Sequence, residues 1–322
     1  MNRRAFLGAA ASSAFALTTA PVALARRLSG TPLAFVTADR ESHVAVFDLV
    51  RRDVVRRIAT PEGPRSIEVV GRGTAALAAH TALGSASILD ARAMEVRHVI
   101  EGLGRPRYTA AGPRGRYAYL TDEEAGDLIT VDLSTGRVIR RTFVGARARH
   151  LSLNARGRSI WVALGFSAPA LALVDLSEPS RPRLAGRIVP PFAAHDVVFA
   201  PDGARAWISS GNARRLAAYD VRTRRPVFEL DAGQPPQHIT FADDRVYVTS
   251  DDAVRVHRAR DGRLLRETGV PDGSYNVTNG WGIVFTPSLE RGTLSLLDAR
   301  GRLLSRPAVT KSAHDACFVI NP

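Results

Sequence analysis

Apolar and polar residues alternate along this chain in short runs, as in His195–Ala200, Ala204–Ser209 and Leu216–Val221, with PDG, SGN and RTRR at or beside the joints. Period-two alternation bounded by Gly, Asp, Asn and Pro predicts short antiparallel strands with one face buried. The pattern also recurs as a unit. The segments PRSIEVVGRG, PRYTAAGPRG, RHLSLNARG, HDVVFAPDG, QHITFADD, YNVTNG and HDACFVI have their first polar residues at Arg65, Arg107, Arg149, His195, Gln237, Tyr275 and His314, in steps of 42, 42, 46, 42, 38 and 39 residues. A strand-built period near 40 residues predicts a β-propeller.

Counting strands closes the ring. Four-stranded units begin at Arg65, Arg107, Arg149, His195, Gln237 and Tyr275, whereas the stretch before Arg65 offers only three strands, Leu33–Thr37, Val44–Leu49 and Val54–Ala59. The missing inner strand is His314–Ile320. Pairing it with the first three removes two open edges that would otherwise template aggregation. The expected fold is all-β: a seven-bladed propeller over residues 32–322 whose C-terminal strand closes the first blade. Asn279-Gly280 predicts a type I′ hairpin in the last blade.

The runs AYLTDEEAGDLITVDLSTGRVI (Ala118 to Ile139), VVFAPDG (Val197 to Gly203) and VYVTSDDAVRVHRARDGRLL (Val246 to Leu265) give the chain its resemblance to the YVTN family of β-propellers. The likeness spans essentially everything after the N-terminal segment. It implies the fold. It leaves function open, because propellers of this kind include lactonases, lyases, cofactor-carrying oxidoreductase domains and binding scaffolds.

Residues 1–25 do not fit the repeat. Arg3-Arg4, an apolar small-residue run and Ala23-Leu24-Ala25 have the form of a twin-arginine export signal with a signal-peptidase site, followed by a linker over residues 26–31. An ordinary secretory signal is the other reading, and both place the protein in the periplasm or outside the cell. No later apolar run reaches membrane-spanning length.

The net charge of +13 does not point to nucleic acid: Lys311 is the single lysine, and the arginines are spread through turns such as Arg51-Arg52, Arg222–Arg225 and Arg260–Arg263 without an aromatic-interleaved stripe. The lone Cys317 reads as a buried structural thiol. Trp161, Trp207 and Trp281 read as packing between blades. Nucleophile elbows, phosphate-cradling glycine loops, C-x-x-C and H-E-x-x-H are absent from the sequence.

Inner strands of a propeller start beside the central channel. Aligned on their apolar alternation, these starts form two columns: Arg65, Arg107, Arg149, His195, Gln237, Tyr275, His314, and Ser66, Tyr108, His150, Asp196, His238, Asn276, Asp315. Arg65, Arg107 and Arg149 form a one-sided cationic arc suited to a carboxylate or phosphate. With them His195, Tyr275, Asn276 and His314 are expected to contact a small anionic ligand. His150, Asp196, His238 and Asp315 are expected to hold a divalent metal ion or do acid–base work. The competing reading is a hydrated polar channel with structural pairs such as Arg65 with Asp315 or Arg149 with Asp196. Rim loops carry Asp39, Glu41, His43, His80, Asp122–Glu124 and Asp251-Asp252, expected as solvated charge or as a protein-partner surface.

Three functional classes follow: a binding or accessory protein for a small anion or metal-bound species, a metal-assisted lactonase-like hydrolase or lyase, and a protein-interaction scaffold. The enzyme reading would use a histidine of the group His195, His238 and His314 as acid–base with a divalent ion as electrophile, and the sequence designates no single catalytic residue.

Overall fold

The computed structural model describes residues 30–165 and 170–321, so the expected export signal and most of the expected linker lie outside the described residues. Seven four-stranded antiparallel sheets form the blades. Blade one consists of Thr31–Ala38, His43–Asp48 and Asp53–Ala59, with Ala313–Asn321 as its innermost strand. The inner strands of blades two to seven are Pro64–Val70, Pro106–Ala111, Leu151–Leu153, Asp196–Phe199, Ile239–Ala242 and Thr278–Gly280. No described helix is long and apolar enough to cross a membrane.

The closure expected from strand counting is present. Ala313–Asn321 pairs antiparallel with Thr31–Ala38 in the register Leu33↔Val319 and Phe35↔Cys317. The inward residues of both strands then enter the core between blades one and two, where Phe35, Cys317, Ile67 and Ala76 meet. Cys317 is buried there and its thiol pKa is pushed well up by desolvation, which removes it as a nucleophile. Similar apolar clusters fill the other joints. Trp161 packs between blades four and five and Trp207 between five and six, while the half-buried Trp281 packs at the joint of blades seven and one.

In six of the seven blades the third strand ends in an aspartate-anchored turn that the sequence repeats. Asp48 accepts the backbone N–H groups of Val50 (2.8 Å) and Arg51 (2.9 Å), and Asp90 those of Arg92 and Ala93 (both 2.8 Å). Asp132, Asp175, Asp220 and Asp298 cap the equivalent turns. Each carboxylate replaces ladder partners that the reversing chain loses.

The last hairpin forms two residues later than Asn279-Gly280 predicts. Gly280 pairs with Ile283, and the turn is made by Trp281 (φ 56°) and Gly282 (φ 74°). Asn279 is occupied elsewhere, donating from Nδ2 to Thr240 Oγ1 and the Phe241 carbonyl, both at 2.8 Å, across the joint with blade six. Gly280 serves packing: a Cβ there would lie 2.0 Å from the Phe318 ring.

Candidate functional site

The entries of the inner strands are bulged. In blade four Arg149 N–H bonds the Ala163 carbonyl while Ala163 N–H bonds the His150 carbonyl, so two residues face one. His195 and Asp196 both face Ser209, and Gln237 and His238 both face Thr249. Register shifts put Arg107 and Tyr108 opposite Thr121, and His314 and Asp315 opposite Thr37. A bulge suspends alternation and re-aims side chains. That is how residues of both columns come together at one mouth.

In four blades the bulge leaves a backbone N–H without a ladder partner, and a hydroxyl at the end of the second strand takes it; in blade four that strand ends in Ala163 instead. Thr37 Oγ1 accepts from Asp315 N–H (2.9 Å), Thr121 from Tyr108 (3.2 Å), Ser209 from Asp196 (3.2 Å) and Thr249 from His238 (3.0 Å). The same four hydroxyls donate onward to the next blade, to the carbonyls of Arg65, Arg149, Gln237 and Tyr275 respectively. This relay fixes the mouth residues of adjacent blades against one another. The sequence reading missed it, although the recurring Thr or Ser that closes the second strand was its visible signal.

Three imidazoles from successive blades converge inside the mouth. His150, His195 and His238 each offer a ring nitrogen within 4.8 Å of the others'. Their ring centroids are 4.3 Å (His150–His195), 4.5 Å (His150–His238) and 5.4 Å (His195–His238) apart. All three are buried; His150 is 1% exposed, and neither of its ring nitrogens has a hydrogen-bond partner among the described residues. Desolvation, aided by the neighbouring imidazoles and arginines, holds His150 and His195 well below the ordinary histidine pKa, so both are neutral.

Tyr108 covers this group. Its ring lies 3.9 Å from that of His150, and its hydroxyl is 3.2 Å from His238 Nε2. The other nitrogen of His238, Nδ1, faces Asp196 Oδ2 at 3.5 Å. Burial pushes the Tyr108 hydroxyl pKa up to about 12, so it remains protonated and able to donate.

The two aspartates of the expected metal set are engaged by backbone. Asp196 Oδ1 accepts its neighbour Val197 N–H at 2.7 Å, and Oδ2 accepts Ile239 N–H of the next blade at 3.1 Å. Asp315 repeats this, with Ala316 N–H at 2.8 Å and Ile67 N–H of blade two at 3.0 Å. Both carboxylates therefore staple blade joints, and within the group of convergent ring nitrogens the company of His150 and His238 is His195.

On the arginine arc, Arg65 pairs with Asp39 at 2.7 Å rather than with Asp315. Arg107 is 8% exposed, with Glu123 Oε2 3.5 Å from its Nε, outside hydrogen-bond geometry. Burial, then the charges of Arg149 and Arg65, lower its pKa to about 10, still charged at neutral pH. Arg149 is half-buried and lies close enough to act on Arg107, His150 and His195. Rim acids expected as solvated charge are thus partly partners of the arc.

The remaining expected contacts are divided. Asn276 Nδ2 donates to the His314 carbonyl (2.8 Å), and His314 Nδ1 donates to the Arg65 carbonyl (2.7 Å), so this pair ties blades seven, one and two together. Tyr275 stays half-buried near Asp251 at the rim, its phenol pKa raised by desolvation and then by that carboxylate. His80 is the last residue of the strand Ala75–His80, not a loop residue; its nitrogens meet the Glu62 carbonyl (3.1 Å) and Ser87 Oγ (2.8 Å). His43 likewise opens a strand, His43–Asp48.

Below the mouth is a cavity of ≈ 210 Å³ lined by Tyr108, His150, Asp196, His238, Asp315 and Glu68, among others. It is smaller than the roughly 300–1,000 Å³ of pockets for drug-sized molecules. Glu68 was outside both sequence columns. Desolvation and then Asp315 raise its pKa to about 8, while burial raises that of Asp315 to about 6.

No family model and no curated protein matches this chain. Solved structures do resemble it. A functionally unknown protein from Desulfotomaculum acetoxidans superposes with a TM-score of 0.77 at 12% identity, covering 90% of this chain and 99% of that one. A protein from Lactobacillus plantarum gives 0.73 at 13%, covering 90% and 99%. Kuenenia stuttgartiensis hydrazine synthase gives 0.67 at 14%, covering 79% and 89%. At these identities the likeness establishes the propeller fold and carries nothing about activity.

Proposed function

We propose that this chain is an exported, YVTN-type propeller that binds a small anionic ligand, free or as a metal-bound species, at its channel mouth in a binding or accessory role. Arg107 carries the reading. A guanidinium buried to 8% exposure, with Nε lacking a hydrogen-bond partner, Glu123 Oε2 3.5 Å from that Nε, and Arg65 and Arg149 beside it, gains from an acceptor that completes its hydrogen bonding. A carboxylate or phosphate supplies two such acceptors.

A second reading, a metal-assisted lactonase-like hydrolase or lyase, draws support from the Tyr108–His238 contact at 3.2 Å, a proton donor and acceptor beside the cationic arc. Melting curves over a panel of small organic anions test the first reading. The parent protein is expected to gain stability with at least one anion, and the Arg65→Gln/Arg107→Gln/Arg149→Gln variant to lose that gain while folding normally. A variant that instead unfolds by several kcal/mol identifies the arc as structural, and a panel without any shift turns attention to protein partners at the rim.

A further inference from the structure

The geometry points to a divalent transition-metal site made by His150, His195 and His238, with its open coordination positions toward the arginine arc. This deepens the anion-binding reading and rests on it for the direction of those open positions.

Three observations carry the site. The ring nitrogens of the three histidines already lie within 4.8 Å of one another, though they come from blades four, five and six. Three nitrogens at 2.0–2.1 Å from one Zn²⁺ are about 3.4 Å apart in a tetrahedral site, so binding asks for inward movement of about an ångström by side chains. His150 is 1% exposed with both nitrogens unpartnered among the described residues. A buried imidazole in that condition is worse than a leucine for stability, and a metal ion supplies the missing acceptor of its lone pair.

The third observation is orientation. Asp196 faces Nδ1 of His238 at 3.5 Å and is itself held by the N–H groups of Val197 and Ile239. A carboxylate behind one imidazole nitrogen keeps the proton there and leaves the lone pair on the other, the arrangement common behind metal-binding histidines. On the opposite side Tyr108 meets Nε2, occupying that lone pair until a metal displaces it.

Three imidazoles suit Zn²⁺, Co²⁺, Ni²⁺ or Cu²⁺ better than Mg²⁺ or Ca²⁺, which prefer oxygen. They also leave at least one coordination position open. An anion bound there offsets the dication beside Arg107 and Arg149, which would otherwise repel it. Anion and metal then stabilise each other's binding.

The test uses the full mature chain without a histidine tag, stripped with a chelator and titrated with Co²⁺ and Zn²⁺. One equivalent of Co²⁺ is expected, with the ligand-field bands of a four- or five-coordinate site. His150→Ala and His238→Ala should each weaken Co²⁺ binding more than 100-fold, Asp196→Asn by roughly 10–100-fold as for an orienting partner, and the outer-strand variant His98→Ala not at all. Should an alanine variant fail to fold, the parent protein still decides: Zn²⁺ should shift the imidazole NMR resonances of His150, His195 and His238 and leave that of His98, on the outer strand Glu95–Ile100, in place. Absence of stoichiometric binding, or binding and resonances indifferent to these histidines, overturns the site. Malonate binding to the metal-free protein is measured alongside. Malonate bound without any uptake of Co²⁺ overturns the metal site and leaves the anion reading standing; Co²⁺ bound at the histidines without malonate binding, in either metal state, overturns the anion reading instead.

Discussion

The Tyr108 hydroxyl lies 3.2 Å from Nε2 of His238, although the two residues are 130 positions apart and come from blades three and six. The contact spans the channel and touches a nitrogen that a metal ion would need.

At the proposed metal site Tyr108 then competes for the lone pair of His238 rather than coordinating. Removing its hydroxyl with Tyr108→Phe should leave the Co²⁺ stoichiometry at one and tighten binding several-fold, the equivalent of one hydrogen bond of about 1 kcal/mol. Titration of the metal-free variant checks this; weaker binding would show that the phenol coordinates.

The hydroxyl relay predicts a separate loss. Thr249→Val keeps the shape of the side chain but strands the N–H of His238 and the carbonyl of Tyr275. Destabilisation of about 1–3 kcal/mol is expected from the buried groups left unsatisfied, read from denaturant unfolding. A change within experimental error would mean that the relay is incidental to blade joining.

Glu68 gives the stability curve a slope. Its pKa is raised from 4.5 to about 8 by desolvation and by Asp315, so between those values the folded protein binds a proton that the unfolded chain has released. Stability contributed this way is complete below pH 4.5 and is lost as pH rises toward 8. Glu68→Gln removes the ionising group, and its stability relative to the parent should rise between pH 5 and pH 9. Paired unfolding curves at the two pH values test this, and a pH-independent difference would contradict it.

Much of this architecture is written in the chain because period-two alternation, turn residues and a spacing near 40 residues constrain strands directly. Strand counting located the closing partner of Thr31–Ala38, since an open ring would leave two edges. The same alternation misled about which side chains meet: it put His195 in the other column from His150 and His238, whereas the bulge of His195 and Asp196 opposite Ser209 brings the three rings together. Loop conformation has no period either, so the pairing of Arg65 with Asp39 was not legible. The turn lies at Trp281-Gly282 while Asn279, the residue read as its turn signal, is bonded to blade six, a long-range contact that local sequence does not encode.

The most direct measurement of the central claim is a calorimetric isotherm of malonate and of inorganic phosphate on the metal-free protein, parent against Arg107→Gln. If the mouth is an anion site, at least one probe binds the parent, and the variant binds it about 10–100-fold more weakly, as expected for charge-assisted hydrogen bonds worth about 1.5–3 kcal/mol, with an unchanged melting temperature. Identical isotherms for the two proteins, or no binding of either anion to the parent, would contradict it.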